Sequence, residues 1–168
     1  MTSDQAMGTP STAEQKCFVV GLGGNLGIPL DQMRCGVASL GAHPSCEVVA
    51  CSSVYRSPPV GPPQPDYLNS AVRLNSSLAP RELLMVLHEI EAAQGRVRDV
   101  RWGPRTLDMD ILWSEQTYSD PALEIPHPRL RERWWALRPL LDVAPELSAE
   151  YAATLSGLGP VPIPVLVL

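Results

Sequence analysis

Lysine is nearly missing from this chain. Lys16 is the single lysine among 168 residues, set against twelve arginines. The net charge of −5 argues against general binding to nucleic acid or an anionic membrane. Cysteine is sparse too. Cys17, Cys35, Cys46 and Cys51 show no CxxC or Cys/His spacing, so a zinc site of that type is excluded. They read as buried or free thiols of a reducing compartment, and with no signal peptide the expected location is cytoplasmic. No apolar run approaches the roughly 18–20 residues of a membrane span. Neither a Walker A run nor a GxGxxG fingerprint is present.

The content that is present fits an ordinary globule: 45% of residues are hydrophobic and 18% charged. The expected organisation is a leader over residues 1–15, rich in Ser, Thr, Gln and Ala, followed by a single domain over 16–168. Arginine is clustered: eight of the twelve lie between Arg96 and Arg105 or between Arg129 and Arg138.

The periodicities predict a recognisable order. Cys17 to Leu22 reads as a buried strand entering the glycine turn Gly23-Gly24-Asn25-Leu26-Gly27. Pro29 to Leu40 reads as an amphipathic helix with Leu30, Met33, Val37 and Leu40 on one face. Cys46 to Tyr55 reads as one half-buried strand. Five prolines between Ser57 and Asp66 leave only a stiff loop. Tyr67 to Leu74 follows as a strand with Tyr67, Asn69 and Ala71 on one face.

Pro80 to Gln94 is the clearest helix, with Leu83, Leu84, Leu87 and Ile90 buried and Gly95 at its C′ position. Glu89 and Glu91 sit near its C-terminus, where the helix dipole disfavours negative charge, so one of them is expected to serve outside the helix. Arg96 to Arg101 reads as an exposed arginine loop. Trp113 to Glu124 reads as a polar connection, Leu130 to Leu141 as a helix, and Pro160 to Leu168 as an extended apolar tail with no assigned function. Strand, helix, strand, strand, helix, strand is the split βαβ order of a ferredoxin-like α+β sandwich, a mainly antiparallel sheet with helices packed on it.

The most informative stretch is Arg101-Trp102-Gly103-Pro104-Arg105-Thr106-Leu107-Asp108-Met109-Asp110-Ile111-Leu112. It opens on a turn and closes as a strand that places Asp108 and Asp110 on one face, with Leu107, Met109 and Ile111 on the other. The two carboxyl groups start roughly 6–7 Å apart, which suits a pair of divalent ions about 3.5–4 Å apart. Oxygen ligands without Cys or His partners favour magnesium. A lone Asp-x-Asp is also a common solvated strand face. Arg105 argues against that reading, because an exposed ion pair contributes only about 0–1 kcal/mol, whereas a phosphate held between metal and guanidinium uses both groups.

This run resembles the signature of 6-hydroxymethyl-7,8-dihydropterin pyrophosphokinases, and the resemblance extends from about Cys17 to Leu147. It implies the same ferredoxin-like fold and a monomeric enzyme with no nucleic-acid or membrane partner. The implied reaction transfers diphosphate from ATP to the pterin hydroxymethyl group and releases AMP in folate biosynthesis, with two Mg²⁺. By resemblance Asp108 and Asp110 hold the metals, and Arg96 and Arg105 neutralise charge on the transferred group. Glu91, Arg98, Arg101, Trp102, Ile111, His127 and Arg133 fall on the ATP side. Ser57, Pro58, Val60, Tyr67, Asn69 and Trp135 fall on the pterin side. Gly24 stands where that family commonly has serine; Ala122 and Glu124 replace polar ATP contacts, and Pro128 stands where an aromatic is common. A sugar-nucleotide transferase using the Asp-x-Asp pair, or a pterin or nucleotide binder without turnover, remain the other readings at this point.

Overall fold

The structure is a computed structural model that describes residues 14–96, 103–159 and 164–168. In chain order the elements are β1 (Lys16–Gly24), α1 (Pro29–Ala42), β2 (Cys46–Cys51), β3 (Ser53–Ser57), β4 (Tyr67–Ser76) and α2 (Pro80–Ala93). After the segment outside the described residues come β5 (Asp108–Ser114), β6 (Tyr118–Asp120), β7 (Leu123–Ile125), α3 (Trp134–Val143), α4 (Ser148–Gly157) and β8 (Leu166–Val167). The main sheet runs β5-β1-β4-β3-β8, with β2 also paired to β4, and every pairing is antiparallel. Counting β2 and β3 as one broken strand, this is the ferredoxin-like order expected from the sequence.

β1 and β4 are the central strands; β1 is apolar over Cys17–Leu22, while β4 alternates apolar residues with Asn69, Ser70, Arg73 and Asn75. On one face Phe18, Val20 and Leu22 pack against Met33 and Leu40 of α1 and against Leu83, Leu87 and Ile90 of α2. On the other, Val19, Ala71 and Leu112 pack against Leu137, Leu140 and Leu141 of α3 and Tyr151 of α4. The second face carries the site.

Pro29 and Pro80 open α1 and α2 where a missing N–H costs nothing. The Glu82 carboxylate accepts the Ala79 N–H at 2.7 Å, which supplies the cap that alanine cannot. Gly95, at φ +75°, ends α2 as expected.

Three expectations are corrected. The single strand over Cys46–Tyr55 is two, broken at Ser52. There the Ser52 N–H donates to the Ala71 carbonyl at 2.8 Å, and its hydroxyl accepts the Ala71 N–H at 2.8 Å. A side chain takes over one rung of the ladder, and the strand bends. The polar connection over Trp113–Glu124 is instead the end of β5 followed by the β6–β7 hairpin, whose turn is held by Asp120 accepting from Ala122 N and Leu123 N. The helix over Leu130–Leu141 is a 3-10 turn at Leu130–Glu132, an extended Arg133 at φ −125°, and then α3. The tail over 164–168 is extended as expected: Val165 N donates to Val54 O at 2.8 Å, and β8 adds to the sheet beyond β3. α4 has no counterpart in the sequence reading. Residues 1–13 of the expected leader lie outside the described residues.

Candidate active site

Asp108 opens β5, and the register places it opposite Gly23 of β1, which in turn faces Asn69 of β4. Directly opposed residues of antiparallel strands share a face, so Asp108 and Asn69 look the same way across a bare glycine, about 9.5 Å apart at two strand spacings. A Cβ at Gly23 would lie 3.7 Å from Asn69 Oδ1 and 4.0 Å from Asp108 Cβ, so glycine keeps the floor between them clear. Asp110 lies two residues along, opposite Gly21.

Two clefts meet over this floor. The first, of about 250 Å³, is lined by Ser57, Pro58 and Val60 of the proline-rich loop, Tyr67 and Asn69 of β4, and Trp135 of α3. All six residues assigned to one flat substrate thus come together. Arg133, assigned to the nucleotide side, lines this cleft and the small recess of about 70 Å³ beside it, not the second cleft. The second cleft, of about 510 Å³, contains Arg96, Asp110, Ile111 and His127, with the β6–β7 hairpin as its outer wall. Arg105 and Asp108 line both. Arg98, Arg101 and Trp102 lie outside the described residues.

In the first cleft, orientation comes from hydrogen bonds. Tyr67 donates its hydroxyl to the Gly103 carbonyl at 3.0 Å. Asn69 donates Nδ2 to Ser57 Oγ at 2.9 Å, which fixes its amide with the acceptor oxygen toward Gly23. Trp135 meets Trp134 edge-to-face, with ring centroids 5.8 Å apart. Arg129 and Glu132, which sequence reasoning did not single out, complete the rim.

Around the carboxylates the charges are dense. Arg105 pairs with Asp108, and Arg96 bridges Asp108 and Glu91 with its side chain only 7% exposed. Sequence reasoning placed a phosphate between Arg105 and the carboxylates; here the guanidinium touches Asp108 directly. Glu91, 2% exposed, lines neither cleft. It accepts the Met109 N–H at 2.7 Å and pairs with Arg96, tying α2 to β5 beneath the site. The expectation that one C-terminal glutamate of α2 works outside its helix is met by a supporting contact. Ile111 is 2% exposed and belongs to the core, with one edge on the second cleft.

Burial, followed by the neighbouring Asp108 and Glu91 carboxylates, pushes Asp110 up to about 6. Burial and then the Arg133 and Arg129 guanidiniums push His127 down, which favours the neutral ring. His127 Nδ1 accepts the Arg129 N–H at 3.1 Å, so in the neutral ring Nε2 carries the proton, and the residue lines the second cleft. Desolvation raises Tyr67, keeping its phenol neutral.

Among the described residues no group of three or more His, Cys, Asp or Glu forms a metal cage. Asp108 and Asp110 nevertheless fit a hard divalent cation. They offer oxygen ligands in a site whose like charges lift one pKa, and magnesium takes only one or two protein carboxylates, completing its shell with water and phosphate oxygens.

The site of this α+β sandwich is thus two confluent clefts that meet at a charged junction on β5, beside the central strand β1. The family model described as 7,8-dihydro-6-hydroxymethylpterin-pyrophosphokinase matches residues 19–145. The 2-amino-4-hydroxy-6-hydroxymethyldihydropteridine pyrophosphokinase of Synechocystis sp. is 45% identical over 141 residues, 82% of this chain and 72% of that protein. The enzymes of the same name from Pseudomonas aeruginosa and Bacillus subtilis are 45% and 41% identical, covering 76% and 78% of this chain and 80% of each relative. The fold also matches crystal structures of Plasmodium falciparum HPPK-DHPS. The structure with pteroate and the A437G substitution aligns at a TM-score of 0.61 and 14% identity, over 84% of this chain. This chain spans 42% of that longer protein. The chain belongs to the 7,8-dihydro-6-hydroxymethylpterin-pyrophosphokinase family and is a diphosphotransferase.

Proposed function

We propose that the chain transfers diphosphate from ATP to the hydroxymethyl group of 6-hydroxymethyl-7,8-dihydropterin, releasing AMP, as a monomeric cytoplasmic enzyme of folate biosynthesis. The observation that carries this reading is the junction itself: Arg105 and Asp108 line both clefts, and Asp110 lies one step along the same strand face. The pterin ring enters the cleft that Tyr67 and Trp135 both line and stacks on these aromatics, with Asn69 Oδ1 as acceptor for donors on its edge. The ATP chain enters from the second cleft past Arg96, with His127 Nε2–H directed at its phosphate or ribose oxygens.

Asp108 and Asp110 would hold two Mg²⁺, which would neutralise phosphate charge that otherwise repels the attacking hydroxyl. Arg96 and Arg105 leave Asp108 for phosphate oxygens and neutralise charge on the transferred group. Arg133, on the first-cleft side of the carboxylates, contacts the transferred diphosphate rather than the nucleoside. Glu91 holds Arg96 from below. Ile111 offers an apolar edge to the nucleoside, and Arg98, Arg101 and Trp102 remain assigned to the ATP side by resemblance. Among the described residues no side chain lining the clefts is assigned as a strong base, so positioning and electrostatics carry the rate.

The test is calorimetric titration of α,β-methylene-ATP into wild type, Asp108→Ala and Asp110→Ala, with and without Mg²⁺. Wild-type binding should tighten at least about tenfold with Mg²⁺, and either alanine should abolish most of that gain. Unchanged magnesium dependence in Asp110→Ala contradicts the assignment.

A further inference from the structure

Asn25 is 6% exposed at the exit of β1, and its side chain holds two segments distant in sequence. Its Oδ1 accepts the Arg105 N–H at 2.9 Å. Its Nδ2 donates to Gln64 Oε1 at 3.0 Å and to the Pro65 carbonyl at 2.9 Å. The backbone adds to the grip, since Asn25 N and Leu26 N both donate to the Arg105 carbonyl, at 3.0 and 3.1 Å. Both polar groups of the Arg105 peptide are therefore held from the glycine turn. The Tyr67 hydroxyl closes the ring by reaching Gly103 O at 3.0 Å and Gln64 Oε1 at 3.3 Å. This approach depends on the residue before it. A Cβ on Gly24 would stand 2.6 Å from the Thr106 carbonyl oxygen, so only glycine lets the turn come this close to Arg105–Thr106.

We infer that Asn25 is a positioning residue that couples the proline-rich wall of the first cleft to the turn presenting Arg105, so that the pterin loop and the phosphate-binding arginine are set as one unit. The inference rests on the proposed pterin and phosphate assignments of those two segments. Only an amide supplies what the position uses: one acceptor toward Arg105 and two donors toward the loop. A carboxylate would keep the Arg105 contact and lose the loop. Gln64 could turn its amide to face a carboxylate, but the Pro65 carbonyl has no donor to offer. Asparagine at this point, together with the Tyr67 hydroxyl, ties the two segments to each other.

Asn25→Asp therefore separates the two roles. In the presence of Mg²⁺ and α,β-methylene-ATP, the Kd for 6-hydroxymethylpterin, followed by pterin fluorescence, should rise about tenfold, the scale of one unsatisfied buried polar group. The Kd for the nucleotide analogue alone should change less than about threefold. Amides of the proline-rich loop from Val60 to Asp66 should exchange about tenfold faster in the ligand-free variant, while those of α2 stay unchanged. Tyr67→Phe, which breaks the same ring while keeping the aromatic face, should weaken pterin binding less in the Asn25→Asp background than in wild type. Equal losses for pterin and nucleotide, or unchanged loop exchange, would overturn the coupling and leave Asn25 a general staple. If wild type itself binds no pterin, the proposed function fails, and the exchange measurement still decides whether Asn25 holds the loop.

Discussion

Replacing Asp110 by asparagine in the metal-free protein isolates the electrostatic stress at the centre of the site. Burial and the Asp108 and Glu91 carboxylates raise Asp110 from its ordinary 3.8 to about 6, against the opposing pull of Arg96 and Arg105. A carboxyl that the folded state keeps protonated contributes stability at pH below its unfolded value, and that contribution is lost as pH rises through the folded value. The window therefore runs from 3.8 to about 6. An interval of that width corresponds to about 3 kcal/mol at most, and water at the cleft mouth lowers it, so about 1–3 kcal/mol is expected. Asparagine keeps the shape and cannot ionise. Urea unfolding in EDTA from about pH 4 to about pH 8 should show wild type losing that amount relative to Asp110→Asn. Parallel stability profiles would refute the argument, since they would mean that Asp110 ionises as freely in the fold as in the open chain.

Other consequences follow from the same geometry. Trp135→Ala should raise the KM for the pterin about tenfold while leaving that for ATP within about threefold, because one ring face is lost and the second cleft is untouched; equal effects on both substrates would contradict the stacking role. Glu91→Ala removes a buried acceptor from Met109 N and a carboxylate from Arg96. It should therefore cost about 3 kcal/mol in urea unfolding, and a loss under about 1 kcal/mol would show that the contact is dispensable. Arg105→Ala should slow turnover by at least about a hundredfold, as loss of a charge-stabilising contact does, without reducing the magnesium dependence of analogue binding; a fall in that dependence would place Arg105 with the metals instead.

Much of this arrangement was legible in the chain, for identifiable reasons. Helices α1 and α2 bury regular apolar stripes behind an initial proline, and the apolar run Cys17–Leu22 marks β1 as a buried strand. The Asp-x-Asp face, Tyr67 and Asn69 follow from strand alternation, which survives folding unchanged. What escaped depends on contacts distant in sequence or on weak local pattern. The break at Ser52 exists because a hydroxyl replaces a ladder bond to Ala71. The three-residue strands β6 and β7 are too short to show a period. Helix α4 buries only Tyr151, and β8 is defined by its partner β3 rather than by its own proline-rich sequence. Asn25 looked like one residue of a tight turn, because its partners Gln64, Pro65 and Arg105 lie 39 to 80 residues away. Glu91 was noticed for its misfit with the helix dipole, but the Met109 amide that satisfies it belongs to another element.

The most direct test of the central claim is to identify the nucleotide product. Purified protein should be incubated with ATP, Mg²⁺ and 6-hydroxymethyl-7,8-dihydropterin, and the quenched mixture resolved by ion-exchange chromatography with mass detection. Diphosphate transfer predicts AMP and a pterin carrying both phosphates in equal amounts, with no ADP, and no AMP from Asp110→Ala. ADP with a singly phosphorylated pterin, or ATP left intact under conditions where both ligands bind, would contradict it.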